Sequence, residues 1–282
     1  MPKSHLRQLI KFIRVFGIGA GVRLWISLSL QQLGADSSSI SLRIPGSAAP
    51  IRLRPPDLQI FWQIMVMQEN DFQSLPQAKL ANEAYRAILS ERNTPVIVDC
   101  GGHVGLSAIW FASHFPEAVV YSVEPDAANF KLLQENTSAY PNVVSISGGI
   151  WSRPCRLEIS NPHSGSASFR LREVSEDADP GPRNALQAYA IEDIAEWEAT
   201  NRLFVVKMDI EGAESEVFSG SAGWMKSVAV VIVELHDWLM PGQGTSRNLL
   251  ARVAENHFDV LLRGENLILF QTAGTDLRRS VS

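Results

Sequence analysis

The amino-acid sequence predicts an α/β fold in which a doubly wound sheet carries helices on both faces. Three observations support this prediction. A buried, β-branched strand over residues 96–100 runs directly into a glycine-rich turn and a helical pattern. Strand and helix patterns then alternate as far as residue 147, and again from 191 to 256. Two last strands, 258–262 and 266–270, meet through a tight turn, which predicts a closing antiparallel hairpin.

The segments before the glycine turn follow from local sequence patterns. Residues 40–54 alternate around Gly46, which predicts a β-hairpin. Two prolines end the hairpin, and Asp57 can cap a helix over residues 58–67. Apolar periodicity and turn residues then predict, in chain order, helix 77–92, strand 96–100, helix 105–114, strand 118–123, helix 126–138, strand 142–147, helix 191–199, strand 203–208, helix 213–219, strand 228–234 and helix 246–256.

The alternation of strands and helices breaks between residues 152 and 190. This stretch holds short strand-like pieces and then a polar run around Pro180 and Pro182. Such a segment is typical of an excursion or a mobile loop.

The sequence predicts an N-terminal helix and β-hairpin extension over residues 1–75, which serves as a substrate cover or an oligomer contact. The principal α/β domain occupies residues 76–282.

Composition limits the class of protein. The 282 residues are 45% hydrophobic, which allows a sizeable core in one principal domain. Lys and Arg number 25 against 30 Asp and Glu, so the net charge is −5 and nucleic acid is not expected as a partner. The two cysteines, Cys100 and Cys155, lie far apart and form no metal-type pair. Thiols of this kind predict a reduced, cytoplasmic protein.

The N-terminal segment, residues 5–33, is apolar with scattered basic residues. Lys11, Arg14 and Arg23 interrupt every window that is long enough to cross a bilayer, which excludes a transmembrane helix. Apolar residues at helical spacing predict a basic amphipathic helix at its start. We expect this helix to pack on its own domain or on a second copy of the chain. Peripheral contact with a membrane is the alternative.

The glycine turn after the first core strand predicts a nucleotide-binding site. The run Asp99-Cys-Gly-Gly-His-Val-Gly105 joins a buried strand to a helix, as in the first half of a βαβ unit. Gly101, Gly102 and Gly105 have no side chain, so we expect a ligand to lie against the bare backbone there. Asp99 would repel a pyrophosphate, whereas its carboxylate suits the aminoacyl end of S-adenosylmethionine.

A second carboxylate follows the next predicted strand. Glu124, with Pro125 after it, lies 25 residues beyond Asp99, where a βαβ unit delivers the end of its second strand. A carboxylate at this position can accept hydrogen bonds from both ribose hydroxyls of an adenosine. This feature alone does not distinguish S-adenosylmethionine from NAD.

Two further motifs follow later strands. The run Lys207-Met-Asp-Ile-Glu-Gly-Ala-Glu214 comes first, and Glu234-Leu-His236 ends the next strand. With the upstream turn and the Glu124–Pro125 pair, this order of motifs resembles the FkbM-type methyltransferases over residues 95–272. The resemblance implies a Rossmann-like, seven-stranded class I methyltransferase sheet and S-adenosylmethionine as cofactor. It also implies an O-methyl ether, on a sugar or another natural-product hydroxyl, as the usual product.

The resemblance implies a cofactor site spread over four strand ends. The glycine turn would hold the methionine end, Glu124 the ribose and residues 147–150 the adenine, while Asp209 would face the transferred methyl group. His103 departs from the family, which often has Asn there, although a neutral imidazole can also donate or accept a hydrogen bond. The residues assigned to the cofactor are Asp99, Gly101, Gly102, His103, Gly105, Glu124, Pro125, Gly148, Gly149, Ile150 and Asp209.

Methyl transfer from a sulfonium is an in-line displacement, so the protein must align the acceptor with the methyl group and the sulfur. A hydroxyl acceptor also benefits from a base within hydrogen-bond reach. His236 is the leading candidate because imidazole titrates near neutral pH, and a structural histidine at a strand end is the alternative. Asp209 and Glu234 are the other catalytic candidates, and we expect Lys207 to form an ion pair in or near the cleft.

Three of these residues offer another possibility. Asp209, Glu234 and His236 can bind a divalent cation through two oxygens and one nitrogen, a less favoured interpretation because no spacing rule fixes their geometry. Glu211 and Trp238 are candidates for substrate contact, although the solvated first turn of a helix would also explain Glu211 and its neighbour Glu214. His163 lies in the excursion and would reach the substrate only when a lid closes.

The sequence thus predicts an S-adenosylmethionine-dependent O-methyltransferase that acts on a small-molecule hydroxyl with general-base assistance. Three alternatives remain open. In the first, the enzyme is an N-methyltransferase. In the second, it methylates a lipid-linked glycan, if the N-terminal segment touches a membrane. In the third, the chain is a non-catalytic adenosyl-binding subunit. A homo-oligomer is compatible with each of them.

Overall fold

The computed structural model describes residues 2–32, 39–160, 171–174, 185–220 and 222–272. In chain order the strands are β1 Ile40–Leu42, β2 Ile51–Leu53, β3 Thr94–Cys100, β4 Val119–Glu124, β5 Val143–Ser147, β6 Gly149–Ile150, β7 Arg156–Ile159, β8 Leu171–Glu173, β9 Leu186–Tyr189, β10 Asn201–Met208, β11 Val230–Glu234, β12 Phe258–Arg263 and β13 Asn266–Gln271. The α-helices are α1 Pro2–Phe16, α2 Ile18–Gln32, α3 Leu58–Phe61, α4 Ala78–Ser90, α5 Leu106–His114, α6 Ala127–Thr137, α7 Ile191–Ala195, α8 Glu214–Val217 and α9 Arg247–Glu255.

The central sheet has seven strands in the order β12-β13-β11-β10-β3-β4-β5. Strands β3, β4, β5, β10 and β11 run parallel, whereas β13 is antiparallel to β11 and β12 is antiparallel to β13. The predicted seven-stranded α/β sheet with a closing hairpin is therefore confirmed. None of the helices in the described ranges combines the length and apolarity that a membrane crossing requires.

The first core strand is apolar on both sides because both faces of the sheet are covered. Val96, Ile97 and Val98 are all fully buried. Ile97 belongs to one apolar cluster, while Val96 and Val98 belong to a second one. Since successive side chains of a strand point to opposite faces, this division places one cluster on each side of the sheet.

The strand order determines where a ligand can bind. From β3 the chain continues to β4 on one side of the sheet, while β10 pairs with β3 on the other side. This is a topological switch point, where the loops after the two strands separate and leave a crevice. The register sets Asp99 opposite Lys207 and Ser122, so the motif residues of three strands lie at the same edge.

The excursion after β5 is folded where the structure describes it. β6, β7, β8 and β9 form a small sheet in the order β6-β9-β7-β8. Its apolar residues Trp151, Leu157 and Ala188 pack with Ala213, just before α8. The short strand-like pieces expected in this stretch are strands where the structure describes it, because their apolar side chains find a partner surface at the edge of the principal sheet. The polar run around Pro180 and Pro182, like His163, lies outside the described residues.

The N-terminal extension packs on the principal domain. The predicted β-hairpin is present, since β1 and β2 pair antiparallel. The predicted helix 58–67 is α-helical only over Leu58–Phe61 and continues as a π-helix over Trp62–Val66. Phe12 of α1 lies with its ring centroid 5.6 Å from that of Trp62 and belongs to the same apolar cluster as Ile97. Packing on its own domain is thus seen for this segment.

One predicted helix differs for a reason that matters at the site. The pattern predicts a helix over 213–219, but α8 covers only Glu214–Val217. Glu211 and Gly212 before it have positive φ angles of 55° and 96°. The chain therefore makes a left-handed turn between β10 and α8, and Glu211 does not share a helical turn with Glu214.

Candidate functional site

A cavity of about 340 Å³ opens at the carboxyl ends of the central strands, at the switch point. Its walls come from the glycine turn, the ends of β4, β10 and β11, and the N-terminal extension. The predicted site residues that line it are Gly101, His103, Glu124, Pro125, Gly148, Gly149, Ile150, Asp209, Glu211, Glu234, His236 and Trp238. The predicted cofactor and acceptor residues thus share one cavity.

Asp99 does not line this cavity. Its side chain is fully buried, with Oδ2 accepting a hydrogen bond from Ser122 Oγ at 2.7 Å and Oδ1 3.7 Å from Lys207 Nζ. Burial raises the pKa of Asp99, although Lys207 and Ser122 oppose that effect. Asp99 thus lies beneath the cavity wall and holds Lys207, and its contact with the aminoacyl end of the cofactor stays a prediction.

The glycines of the turn face the protein rather than a ligand. A Cβ on Gly101 would overlap the carbonyl oxygen of Asp209, and one on Gly102 would overlap the Ser122 hydroxyl. A Cβ on Gly105 would lie 3.0 Å from the Thr137 side chain. Of the three, only Gly101 lines the main cavity. Close packing of the turn on Asp209, β4 and α6 therefore requires glycine at these positions, and their contact with a ligand stays a prediction.

Glu124 connects the first two motifs. Its Oε2 accepts a hydrogen bond from the backbone N–H of His103 at 2.8 Å, and its Oε1 accepts from Asp126 N–H at 2.9 Å and Asn129 Nδ2 at 3.2 Å. Burial raises the pKa of Glu124 to about 7, although these hydrogen bonds favour the charged form. The carboxylate is thus fixed in place at the cavity wall with one lone pair or more free.

His103 occupies a strained position between the glycines. Its φ is +47°, a left-handed conformation that Asn and His tolerate better than most residues, which fits the Asn that is frequent in the family. Burial lowers the pKa of His103 to about 4, and Asp57, whose Oδ1 lies 3.6 Å from Nε2, only partly offsets this. The imidazole is therefore neutral, as predicted for a donor or acceptor.

Lys207 forms the expected ion pair. Its Nζ lies 3.3 Å from Asp209 Oδ2 and donates to the carbonyl of Gly101 at 3.3 Å. Burial alone would lower the pKa of Lys207, but the charges of Asp209 and Asp99 outweigh it and raise the pKa. For Asp209, burial would raise the pKa, and Lys207 and His236 together lower it. Asp209 is thus held as a carboxylate that is 34% exposed.

His236 is surrounded by carboxylates. Its Nδ1 is hydrogen-bonded to Glu214 Oε1 at 2.9 Å, and both side chains are only 2% exposed. Its Nε2 lies 3.6 Å from Asp209 Oδ1, 3.7 Å from Glu234 Oε1 and 3.8 Å from Glu211 Oε2. The structure therefore brings together all three predicted catalytic residues and one predicted substrate residue.

These contacts change the ionisation of the cluster. Burial alone would lower the pKa of His236, but the hydrogen bond to Glu214 and the charges of Asp209 and Glu211 outweigh it and raise the pKa to about 9. Burial and the charge of Asp209 raise the pKa values of Glu211 and Glu234 to about 7. In the free protein His236 thus holds a proton at neutral pH, unlike the near-neutral titration expected from sequence.

The family described as "Methyltransferase FkbM domain" matches residues 99–262, more than half of the chain. The chain belongs to the FkbM methyltransferase family. The predicted resemblance is therefore confirmed, and family membership makes the protein a methyltransferase. The family implies S-adenosylmethionine as the methyl donor.

Three individual proteins are similar to parts of this chain. The chain is 26% identical over 233 residues to the hexuronic acid methyltransferase AglP of Haloferax volcanii. This match covers 79% of the chain and 83% of AglP. A crystal structure of methyltransferase FkbM from Methylobacillus flagellatus KT is 16% identical, with a TM-score of 0.42, over 63% of this chain. The match spans 43% of that protein's length. Precorrin-6y C5,15-methyltransferase from Geobacter metallireducens GS-15 is 11% identical, with a TM-score of 0.35, over 67% of this chain and 87% of that one.

The FkbM site differs from the sequence-based expectations in the role of Glu214 and in three further residues. Glu214 is buried and orients His236, although its position in a predicted first turn suggested a solvated side chain. Gln59 and Gln63 of the N-terminal extension and Glu265 of the β12–β13 turn line the cavity. Only the assignment of residues 1–75 as a substrate cover pointed toward the two glutamines. Glu265 gave no sequence signal, because it reaches the site through strand pairing.

The described residues hold one group that could bind a metal. Single donor atoms of Asp209, Glu234 and His236 all lie within 4.8 Å of one another. Asp209 Oδ2 is bound to Lys207 and His236 Nδ1 to Glu214, which leaves Oδ1 and Nε2 facing each other. Ligands held from behind in this way are typical of metal sites and of acid–base sites.

The packing of the FkbM glycine turn yields a test with a matched control. Gly46 and Gly101 both have φ of +84°, but a Cβ at Gly46 would meet nothing within 4 Å. We expect Gly46→Ala to lower the free energy of unfolding by about 1–2 kcal/mol, the cost of the left-handed backbone alone. Gly101→Ala should cost roughly 1–3 kcal/mol more, because β10 must move away from the new methyl group.

Urea unfolding of both variants measures the difference. Equal losses of stability would contradict the close approach of β10 to the turn, and would return the glycine to its sequence-based explanation.

Proposed function

We propose that this methyltransferase transfers a methyl group from S-adenosylmethionine to a hydroxyl of an acidic sugar. One observation carries the proposal: Glu124, suited to an adenosine, and the His236 cluster, suited to a hydroxyl, line the same cavity. The sugar is supported by the similarity to AglP, whose name gives a hexuronic acid as its substrate. A hydroxyl rather than an amine is favoured because a sugar of that class offers hydroxyls.

The cofactor half of the proposal uses the glycine turn, Glu124 and residues 148–150. Glu124 would accept a ribose hydroxyl at the acceptor position that its three protein donors leave free. Gly148, Gly149 and Ile150 lie on the cavity wall beside Pro125 and would contact the adenine. When bound, S-adenosylmethionine supplies an electrophilic methyl group. Asp99 would act through Lys207, which holds the carbonyl of Gly101 at the cavity wall.

The acceptor half uses the cluster around His236. Glu214 binds Nδ1 and leaves Nε2 toward the cavity, where a hydroxyl can be held together with Asp209 and Glu234. We assign His236 as the base that takes the hydroxyl proton on Nε2, because Glu214 stabilises the resulting imidazolium. The proton that His236 carries in the free protein must leave before the acceptor reacts. Glu211 and Trp238 would contact the sugar from the cavity rim.

An alternative role for the same cluster is a divalent-cation site, which excludes the base role because Nε2 of His236 cannot both take a proton and bind a metal. An acidic sugar would add a carboxylate to a site that already contains Asp209, Glu211 and Glu234, and like charges so close together repel one another. A cation held by Asp209, Glu234 and His236 would remove that repulsion and bind acceptor oxygens. Oxygen-rich donors with one imidazole suit Mg²⁺ or Mn²⁺.

The ribose assignment predicts the effect of Glu124→Gln. We expect this change to weaken binding of S-adenosylhomocysteine ten- to a hundred-fold, because hydrogen bonds to a charged group contribute about 1.5–3 kcal/mol. Asp126→Asn is the matched control, since it removes a charge two residues away and Asn still caps α6. Calorimetric titration measures both affinities, with melting curves to confirm folding. Unchanged affinity in Glu124→Gln would remove Glu124 from the ribose.

The base assignment predicts that His236→Ala separates binding from turnover. We expect S-adenosylhomocysteine affinity to stay within about three-fold, since His236 contacts the acceptor, while kcat falls by roughly 10²–10⁴. His257→Ala, an exposed imidazole outside the cavity, should leave kcat unchanged. Methylation of hexuronic acids and of neutral sugars is the assay. If His236→Ala turns over like the parent enzyme, another group is the base.

The cation role is tested by removing and adding metal. If the cluster binds a cation, EDTA should abolish turnover and added Mn²⁺ should restore turnover. Asp209→Asn should lose the Mn²⁺ binding that electron paramagnetic resonance measures in the parent protein. Glu83→Gln, which removes a carboxylate on the remote helix α4, should bind Mn²⁺ like the parent protein. Full turnover in EDTA together with no detectable Mn²⁺ binding would leave the base role alone.

A further inference from the structure

The outer side of the α1–α2 hairpin exposes large apolar side chains. Leu6, Ile10, Ile18, Ile26 and Leu30 are between 45% and 75% exposed. Together they make up a large share of the exposed large apolar residues in the described part of the chain. Scattered single residues of this kind are ordinary on a protein surface, but a concentration in one hairpin indicates a surface that contacts something else.

The exposed apolar residues are regularly spaced. On α1, Leu6, Ile10 and Arg14 follow one another at intervals of four, so they lie along one side of the helix. On α2, Ile26 and Leu30 have the same spacing. Each helix therefore presents a short apolar row of two residues one turn apart, and on α1 an arginine follows it.

The same hairpin is strongly basic. Residues 1–32 contain Lys3, Arg7, Lys11, Arg14 and Arg23 and no Asp or Glu, so their net charge is +5. The other 250 residues carry 20 Lys and Arg against 30 Asp and Glu, a net charge of −10. Arg7, Arg14 and Arg23 are exposed. Cationic and apolar groups are thus concentrated together on an otherwise acidic molecule.

The inner side of the hairpin is already occupied. Phe12, Leu24 and Leu28 are buried in the apolar cluster that also contains Phe61 of α3. The exposed rows are therefore a second face, and the hairpin does not need them for packing on its own domain. A helix pair with one face in the core and the other apolar and basic has the composition of an interfacial membrane anchor.

A groove leads from the hairpin toward the active site. It has a volume of about 470 Å³ and is lined by Phe12, Trp25 and Leu28 of the hairpin and by the segment around α3. Two of its residues, Pro56 and Gln59, also line the active-site cavity. Whatever the hairpin contacts therefore lies next to the approach to the active site.

We propose that the α1–α2 hairpin docks this protein on the surface of an anionic phospholipid bilayer. The apolar rows would enter the headgroup region, and Arg7, Arg14 and Arg23 would lie among the phosphates. A second copy of the chain is a poorer occupant, because a symmetric contact through this face would bring the exposed Arg7, Arg14 and Arg23 of both copies together. The inference goes beyond the proposed function and does not depend on the acceptor.

Co-sedimentation of the full chain with vesicles tests the proposal. We expect binding to phosphatidylcholine vesicles that contain phosphatidylglycerol, little binding to phosphatidylcholine alone, and release at high salt. The pair Arg7→Glu and Arg14→Glu should weaken binding at least ten-fold, since each cation near an anionic surface contributes a factor of about five. The pair Leu6→Ser and Ile10→Ser should also weaken it about ten-fold.

Matched controls come from other exposed positions. Val260→Ser with Leu262→Ser changes two exposed apolar residues of β12, and Lys79→Glu with Lys226→Glu reverses two exposed charges elsewhere. Both pairs should bind vesicles like the parent protein. All variants should bind S-adenosylhomocysteine equally well, which separates this inference from the proposed function.

Three results would overturn the proposal. The parent protein would fail to sediment with anionic vesicles at low salt, or the control pairs would lose as much binding as the hairpin pairs. In the third, light scattering would show a dimer of the parent protein that Leu6→Ser with Ile10→Ser converts to a monomer, so that a second copy covers this face.

Discussion

At the carboxyl ends of β3 and β10, the ammonium group of Lys207 lies between two carboxylates and beneath the glycine turn. Asp99 and Asp209 contact the ammonium group from either side, and the carbonyl oxygen of Gly101 accepts a hydrogen bond from it. Removing one partner from a buried ion pair typically costs about 3–5 kcal/mol. Lys207 thus stabilises buried Asp99 beneath the sheet edge and Asp209 at the cavity. It also holds the glycine turn in place through the carbonyl of Gly101.

The rest of the site repeats this arrangement of side chains held from behind. Lys207 binds one oxygen of Asp209 and Glu214 binds one nitrogen of His236, while the opposite atoms of both residues face the cavity. Glu124 is held by three donors in the same way. Groups positioned before a ligand arrives lose little freedom when it binds, which is how a protein gains rate from alignment. The arrangement is equally suitable for moving a proton and for holding a cation.

The N-terminal extension contributes to the molecule at three levels. Its inner apolar residues join the core of the principal domain, and its π-helical segment brings Gln63 to the cavity, where it donates to Glu265 at 3.3 Å. π-Helical turns are frequent at functional sites because they shift side chains out of α-helical register. Residues 1–32 of the extension carry a net charge of +5, whereas the rest of the chain carries −10. The N-terminal extension would therefore influence both which acceptor the enzyme selects and whether the enzyme works at a membrane surface.

The sequence by itself determined the order of the elements and the edge of the sheet at which the site lies. Apolar periodicity, the glycine turn and the carboxylates at strand ends are local signals, and each is readable within a few residues. The limits of these local signals appear at Asp99 and Asp209, which lie at the carboxyl ends of two buried strands, β3 and β10. Only the tertiary structure decided that the first is fully buried and the second 34% exposed.

The contacts that decide the chemistry join residues distant in the chain. Gly101 packs against Asp209, and His236 is bound by Glu214. Burial alone would lower the pKa of His236, but the hydrogen bond to Glu214 and the charges of Asp209 and Glu211, all on the segment that follows β10, raise it to about 9. Pairing register and loop direction place such groups, and neither is encoded in the spacing of one motif. The residue types at the site thus came from the sequence, whereas their partners and charges came from the packing of strands that are not adjacent in the chain.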